Sequence, residues 1–349
     1  MKKYLLLLIS FCSLMHCQKE EISIGSNTSE VFYLQNNHAA MPIRVHGNTA
    51  SKTFMMMIHG GPGGDAIIYR TDYVRQNLES EFAVVYWDQR NSGVSQGGAN
   101  SSFNQVADFV EDFEKVVVLL KKRYGADISI FVNGHSWGGH LVPAFLQKDN
   151  NQYSVKGWIQ TAGAHNIPLL NELSWKMQLD KANLEIAANH DVDEWTKIRE
   201  YCMSIKPPFV AEVSLDLNKN AAKSEGLTEE IPKAKYDNKY FNDQYRENRT
   251  PFSLLLLQSL NPVPKTLANE IFKGAQLSDH MDLIVIPTLL LYGKYDYICP
   301  AGLGDDIENR IKSAYKKKVV FEKSGHGMMA GADEAAYWDE IKQFMRKFK

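Results

Sequence analysis

Residues 128–146 read ISIFVNGHSWGGHLVPAFL, and this stretch decides the fold. Its first residues, 128–132, are apolar and β-rich, the pattern Gly-x-Ser-x-Gly follows, and a helix-compatible run comes directly after it. This order predicts a strand, a sharp turn and a helix, with Ser136 at the tip of the turn. Gly134 and Gly138 leave the space that a strained turn needs beside the serine. The start of the helix would direct backbone N–H groups at a developing oxyanion.

A glycine-rich loop lies upstream of this turn. Residues 53–58 are continuously apolar, which is typical of a strand buried on both faces of a parallel sheet, and they lead into HGGPGG at residues 59–64. Without a Cβ in the way, such a loop can bring a backbone N–H close to a nucleophile. A plain structural turn is the alternative interpretation of a Gly/Pro cluster.

Two more polar residues follow buried strands late in the chain. Asp296 comes just after the strand predicted within residues 283–292, and His326 just after the strand predicted at 318–323. Serine becomes a nucleophile when a histidine removes its proton, and a buried carboxylate holds that histidine in the right tautomer. The order Ser136, Asp296, His326 matches the α/β-hydrolase arrangement. We therefore expect these three side chains to meet at one edge of the sheet.

Other acids and histidines are weaker candidates for this chemistry. None of the acids directly follows a strand, and the histidines border the glycine loop and the serine turn, where we expect them to be scaffolding. The acids are Asp279, Asp282 and Asp305, and the histidines are His59, His135 and His140.

The fold class expected is α/β, with a mostly parallel central sheet, flanking helices and an inserted, mostly helical cap. Residues 165–282 lack buried-strand runs, are rich in Lys, Glu, Asn and Trp, and would cover the edge where open α/β sheets bind ligands. We expect the aromatic residues Trp175, Trp195 and Tyr201 to form the core of this cap. The core would comprise residues 30–164 and 283–349, opening with a β-hairpin.

The first residues predict an export signal. Lys2 and Lys3 precede an apolar run at residues 4–14, which is too short to span a bilayer but suits a signal peptide over residues 1–17. The run ends in LMHC, which resembles a bacterial lipoprotein processing site with Cys17 as the lipidated residue. His16 stands where a small residue is usual, so ordinary secretion or an uncleaved anchor remain alternatives.

The following QKEE resembles a tag that sends lipoproteins to the outer face of the outer membrane of some Gram-negative bacteria. A solvated tether is the alternative, within a linker over residues 18–29.

Composition excludes some functions and leaves others open. The 349-residue chain carries a net charge of −2 without a basic field, so we expect no nucleic-acid partner. No Cys/His cluster has metal-ligand spacing, so we expect no metal. Cys202 and Cys299 could pair in an oxidising compartment, although nothing in the sequence places them within reach of each other.

Three motifs together resemble the proline iminopeptidase branch of the α/β hydrolases. They are HGGPG at residues 59–63, DQRNSGVS at 88–95 and GHSWGG at 134–139. The resemblance implies a serine peptidase that releases an N-terminal residue, typically proline, through an acyl-enzyme and without a metal or organic cofactor. It also implies an oxyanion hole formed by the backbone N–H groups of Gly61, with help from Gly60, and of Trp137.

The chain departs from that branch at two places. Asn91 replaces a glycine of the DQRGSG-type loop, and asparagine tolerates a positive φ. No acidic motif of the cap aligns with the residues that bind the substrate's amine in the family; Glu172, Asp180 and Glu185 are the early cap acids, and such acids are usually a solvated helix face. Alternatives to a small-peptide aminopeptidase are an esterase or amidase for small molecules and a non-catalytic binding lipoprotein.

The loop after residues 82–87 carries Asp88 and Arg90. These two could bind a charged substrate, but we favour a structural role in which they pair with each other or with neighbouring loops.

Overall fold

The computed structural model describes residue 22 and residues 24–97, 103–232 and 265–349. Its sheet has the order β1-β2-β4-β3-β6-β7-β8-β9, with the short β5 pairing with β2. The pairs that involve β1 or β2 are antiparallel, and the pairs from β4 through to β9 are parallel. The strands are β1 (Thr28–Asn36), β2 (Ala39–Gly47), β3 (Thr53–Ile58), β4 (Ala83–Trp87), β5 (Gln96–Gly97), β6 (Ser129–His135), β7 (Gly157–Thr161), β8 (Thr288–Gly293) and β9 (Lys316–Phe321).

This topology confirms the expected α/β class with a mostly parallel sheet. Every residue of β3 and of β4 is buried, which explains why both strands are continuous apolar runs instead of alternating patterns. Because β3, β6, β8 and β9 run parallel, the loops that follow them leave the sheet at one edge. The predicted serine, aspartate and histidine all lie on these loops.

The helices of the described residues are α1 (Val106–Tyr124), α2 (Gly138–Gln147), α3 (Ile167–Ala187), α4 (Val192–Ser204), α5 (Ala211–Leu227), α6 (Lys265–Phe272), α7 (Gly302–Arg310) and α8 (Glu334–Phe348). Helix α1 buries the apolar face that its three-to-four-residue spacing predicts. Its Phe113 stacks on Phe145 of α2 with ring centroids 4.2 Å apart. The contact fixes the helix after the serine turn against the helix that precedes β6.

Helices α3 to α6 lie within residues 165–282. Trp195, Ile198 and Cys202 of α4 form a small apolar cluster with Ala182 of α3, separate from the main core. Trp175 and Tyr201 pack against it, so the three aromatic residues form a cap core as expected.

Cys202 and Cys299 are both buried free thiols. The predicted signal segment, which includes Cys17, and residues 18–21 and 23 of the predicted linker lie outside the described residues. In the described part of the chain no helix combines the length and apolarity needed to cross a membrane.

Candidate active site

Ser136 occupies a sharp turn between β6 and α2. Its φ is +55°, a left-handed conformation that costs energy for a residue with a side chain. A Cβ at Gly134 would overlap the carbonyl of Gly138, and a Cβ at Gly138 would overlap the carbonyl of Ile58. Glycine is therefore required on both sides of the serine, because the turn packs against the end of β3.

Asp296 and His326 form a hydrogen-bonded pair beyond the ends of β8 and β9. His326 Nδ1 lies 2.9 Å from Asp296 Oδ2, and the aspartate is fully buried. The other carboxylate oxygen, Oδ1, accepts hydrogen bonds from the backbone N–H groups of Ile298 at 3.0 Å and Cys299 at 2.6 Å. One oxygen is thus bound to the loop, and the second is left for the imidazole.

The electrostatic balance at His326 favours the charged ring. Burial is the largest single effect and lowers the pKa of this histidine, but the charge and the hydrogen bond of Asp296, together with the charge of Glu225, outweigh it, so the pKa lies above its ordinary value. The imidazole, whose side chain is 17% exposed, can therefore accept a proton readily.

Ser136 lies beside this pair. Its hydroxyl contacts the thiol of Cys299, and the neighbouring His135 ring lies 4.6 Å from the ring of His326 between centroids. No hydrogen bond joins the Ser136 hydroxyl to the His326 ring in the described structure. Such bonds are often long or misaligned in unliganded sites. The three residues that the sequence singled out are therefore neighbours in one cluster.

A chain of hydrogen bonds connects the glycine-rich loop with the backbone of His326. The Gly60 N–H donates to the Tyr69 hydroxyl at 3.1 Å, and that hydroxyl lies 2.7 Å from His135 Nδ1. His135 Nε2 lies 3.1 Å from the carbonyl of His326. Because a carbonyl only accepts, His135 donates from Nε2 and accepts the Tyr69 proton at Nδ1.

This chain of hydrogen bonds engages one of the three N–H groups that we expected to form the oxyanion hole. The N–H of Gly60 is occupied by Tyr69, whereas the N–H groups of Gly61 and Trp137 have no hydrogen-bond acceptor among the described residues. Gly61 has a φ of +122°, a conformation that favours glycine. The indole N–H of Trp137 donates to Gln89 at 2.8 Å, which holds this residue in place.

Three other histidines are buried and bound to the scaffold. Burial lowers the pKa of His59, of His135 and of His140, the last to about 4. His59 accepts from the Gln89 N–H at 3.1 Å, and His140 Nδ1 lies 3.2 Å from the carbonyl of Ala164. Neutral rings that are hydrogen-bonded to the backbone in this way hold loops in place, as we expected from their positions.

A cavity of about 80 Å³ adjoins Ser136. Its size is small against the ~300–1,000 Å³ of ordinary ligand pockets, so it fits one small group. The lining is mainly apolar and, among the described residues, includes no Asp or Glu; it comprises Gly61, Pro62, Ser136, Trp137, His140, Ala164, Ile167, Leu170, Asn171, Ser214, Asn218, Ile271, Phe272, Ile298 and Cys299.

The three early cap acids lie away from this cavity. Glu172 is exposed, Asp180 pairs with Lys176, and Glu185 pairs with Lys181. Glu172 and Asp180 belong to a solvated helix face, the interpretation that we favoured for these acids, whereas the Glu185 side chain is only 15% exposed and also lies 3.0 Å from His190 Nδ1.

A fourth cap acid, which the sequence analysis did not single out, reaches the cluster. Both carboxyl oxygens of Glu225, on α5, lie 3.1 Å from the backbone nitrogen of His326. Burial and, next, the charge of Asp296 raise the pKa of Glu225 to about 8. No motif marks this residue, since it stands in a helix rich in Lys, Glu and Asn like many surface acids.

The loop after β4 is held by two buried ion pairs. Asp88 accepts from Arg44 at 3.0 Å, and Arg90 donates to Asp112 at 2.6 Å and 2.7 Å. Asp88 and Arg90 therefore pair with neighbouring elements and not with each other. Asn91 has a φ of +56°, so asparagine does adopt the conformation for which the related loop uses glycine.

Comparison with known proteins agrees with this arrangement. The family model of the serine aminopeptidases, S33, matches residues 50–333. The probable aminopeptidase YbaC of Bacillus subtilis (strain 168) is 31% identical over 130 residues, which cover 37% of this chain and only 36% of that relative. A probable proline iminopeptidase of Leptolyngbya boryana is 26% identical over 311 residues, covering 86% of this chain and 88% of the relative.

A solved structure shows the same fold. The proline iminopeptidase of Mycobacterium smegmatis superposes with a TM-score of 0.63 at 14% identity, over 91% of this chain and 98% of the other. The sequence match over most of the chain and the serine turn point to one assignment. The chain belongs to the serine aminopeptidase family S33, the proline iminopeptidase-like branch of the α/β-hydrolase serine hydrolases.

Proposed function

We propose that the protein is an aminopeptidase that releases a small N-terminal residue, such as proline, from peptides. The observation that carries the proposal is the Asp296–His326 hydrogen bond of 2.9 Å beside a serine held at a φ of +55°. The match to the serine aminopeptidase family supports the proposal, and the small cavity next to Ser136 favours a substrate residue with a compact side chain.

In this mechanism Ser136 is the nucleophile and His326 the general base. Asp296 accepts the Nδ1 proton of His326, so the Nε2 lone pair is free to take the Ser136 proton as Oγ attacks the carbonyl carbon. The imidazolium then gives that proton to the departing amine, which leaves an acyl-enzyme. Water, deprotonated by the same imidazole, releases the amino acid and restores Ser136.

The oxyanion would be held by the N–H groups of Gly61 and Trp137. Gly60 has its N–H bound to Tyr69, so its contribution is to hold the loop. Two donors of this kind contribute about 10²–10³-fold each in comparable hydrolases.

Paired substrates test the proposal. We expect proline and alanine aryl-amides with a free amine to be cleaved much faster than the same compounds blocked at nitrogen. Ser136→Ala should abolish both turnover and labelling by a fluorophosphonate, while Ser154→Ala serves as the matched control. Equal turnover of free and blocked substrates would contradict amine recognition, and labelling that persists in Ser136→Ala would contradict the nucleophile.

One observation favours a second candidate, an esterase or amidase for small molecules. The described lining of the cavity offers no carboxylate to a substrate amine. Strong turnover of p-nitrophenyl esters without release of amino acids from peptides would support this alternative.

We also propose that the chain is exported as a lipoprotein anchored through Cys17, in the outer membrane of a Gram-negative bacterium. Support comes from the sequence, in which Lys2, Lys3 and an apolar run precede this cysteine. Metabolic labelling with a palmitate analogue should mark the wild type and not Cys17→Ala. Equal labelling of the two would contradict lipidation at this residue.

A further inference from the structure

A side chain of the cap reaches the backbone of His326. The carboxyl oxygens of Glu225 are both 3.1 Å from the His326 nitrogen, so the cap accepts this N–H in a shared hydrogen bond. On the other side of the same residue, His135 donates to the His326 carbonyl at 3.1 Å. The histidine's main chain is therefore held between an acceptor from the cap and a donor from the core.

Gly325 makes this approach possible. A Cβ placed on Gly325 would lie 2.5 Å from Glu225 Oε2 and 2.7 Å from its carboxyl carbon, and its three nearest atoms all belong to that carboxyl group. A Cβ placed on Gly327, two residues further on, would meet no atom of the described residues within 4 Å. The φ of Gly325 is not positive, so backbone conformation does not explain the glycine. Its small size instead makes room for the carboxyl group of Glu225.

We propose that Glu225 is a positioning residue, through which the cap holds the backbone of His326. The proposal rests on the proposed function, since it assigns Glu225 a task only if His326 is the general base. Glu225 does not line the small cavity beside Ser136, but lines another cleft, of about 720 Å³, together with Gly325 and Gly327.

The charge of Glu225 is itself set by pH. When ionised, the Glu225 carboxylate is one of the groups that raise the pKa of His326, after Asp296. Because burial and the charge of Asp296 raise the pKa of Glu225 to about 8, this negative charge is present mainly above that pH. The titratable or charged groups around Glu225 are Asp296, His326, Tyr297 and Cys299 of the core loops, with Asp191, Glu229 and Lys323 along the adjoining cleft.

Two variants disturb the contact from opposite sides. Glu225→Gln keeps one acceptor oxygen, replaces the other by an amide NH₂ and carries no charge at any pH, and Gly325→Ala should displace the carboxyl group, whose flexible side chain can swing away at little cost to the fold. The loss of one hydrogen bond corresponds to roughly 2-fold to 10-fold in kcat. Glu229→Gln and Gly327→Ala are the matched controls, which should retain wild-type kcat.

The test is the pH dependence of kcat and kcat/KM for each variant on a cleaved aryl-amide or ester. We expect both contact variants to lower kcat more than they raise KM. Glu225→Gln should also remove the change of kcat that accompanies ionisation of Glu225 near pH 8 in the wild type. The double variant Glu225→Gln/Gly325→Ala should lose little more than either single variant, because both remove one contact.

Other results would overturn the proposal. Wild-type kcat and pH dependence in Glu225→Gln, or equal losses in the two controls, would show that the contact does not position His326. If Glu225→Gln fails to fold, Gly325→Ala decides in the same way. Failure of the proposed function looks different, since Ser136→Ala and His326→Ala would then keep their activity.

Discussion

Replacing Asp296 by asparagine should inactivate the enzyme through the tautomer of His326. In the structure Oδ1 accepts two backbone N–H groups, from Ile298 and Cys299, and Oδ2 faces His326 Nδ1. An asparagine must keep its oxygen toward the two donors, because an amide NH₂ there would meet N–H groups. Its NH₂ then faces the imidazole, and Nδ1 must become the acceptor.

The proton of His326 is thereby forced onto Nε2, the nitrogen that has to receive the proton of Ser136. A base in the wrong tautomer loses about 10⁴-fold in kcat in the serine-histidine-aspartate system, or about 5.4 kcal/mol of transition-state stabilisation. The loop itself should remain intact, since the two backbone hydrogen bonds are retained. Substrate binding should change little, so the loss should fall on kcat and not on KM.

The assay is steady-state turnover of the best aryl-amide or ester, with fluorophosphonate labelling of Ser136 as a second readout. Asp305→Asn is the matched control, because this acid lies on the surface in an ion pair with Lys318. Wild-type thermal unfolding of both variants would show that the fold is kept. Activity within about tenfold of the wild type in Asp296→Asn would refute the tautomer argument.

Three further predictions follow from named contacts. Activity should fall as the pH drops through the raised pKa of His326, with the midpoint above the ordinary value of about 6.5; a flat rate between pH 5 and 8 would contradict this. Asp112→Ala leaves the buried Arg90 unpaired and should reduce the free energy of unfolding by about 3–5 kcal/mol in urea titrations. Tyr69→Phe removes the acceptor of the Gly60 N–H and should reduce the free energy of unfolding by about 1–3 kcal/mol. Tyr153→Phe, at an exposed tyrosine, should leave the free energy of unfolding almost unchanged.

Local pattern was enough to predict the sheet and the serine turn. Strands β3 and β4 are buried along their whole length, so a continuous apolar run carries the signal without help from distant residues. The turn at Ser136 is equally local, because the glycines that it needs stand two residues to either side.

Pairings between distant residues were not predictable in the same way. Asp88 and Arg90 are two positions apart, yet the structure pairs each with a residue more than twenty positions away, Arg44 and Asp112. Which partner a charged residue finds depends on how strands and helices stack, and one sequence carries no signal for it. The same holds for Tyr69, whose hydroxyl connects two loops that the motifs treat separately.

The cap illustrates this limit most clearly. Its early acids stand at helical spacing and lie on the surface, while Glu225, with no motif around it, meets the backbone of His326. A cap that served only to cover the cavity would need apolar side chains above Ser136, which α3 and α6 supply through Leu170 and Ile271. The carboxyl group of Glu225 lies outside that lining, and the glycine that makes room for it, Gly325, directly precedes His326. Their shared target is the histidine, so movement of α5 should alter the rate of the chemical step even where it leaves the cavity unchanged.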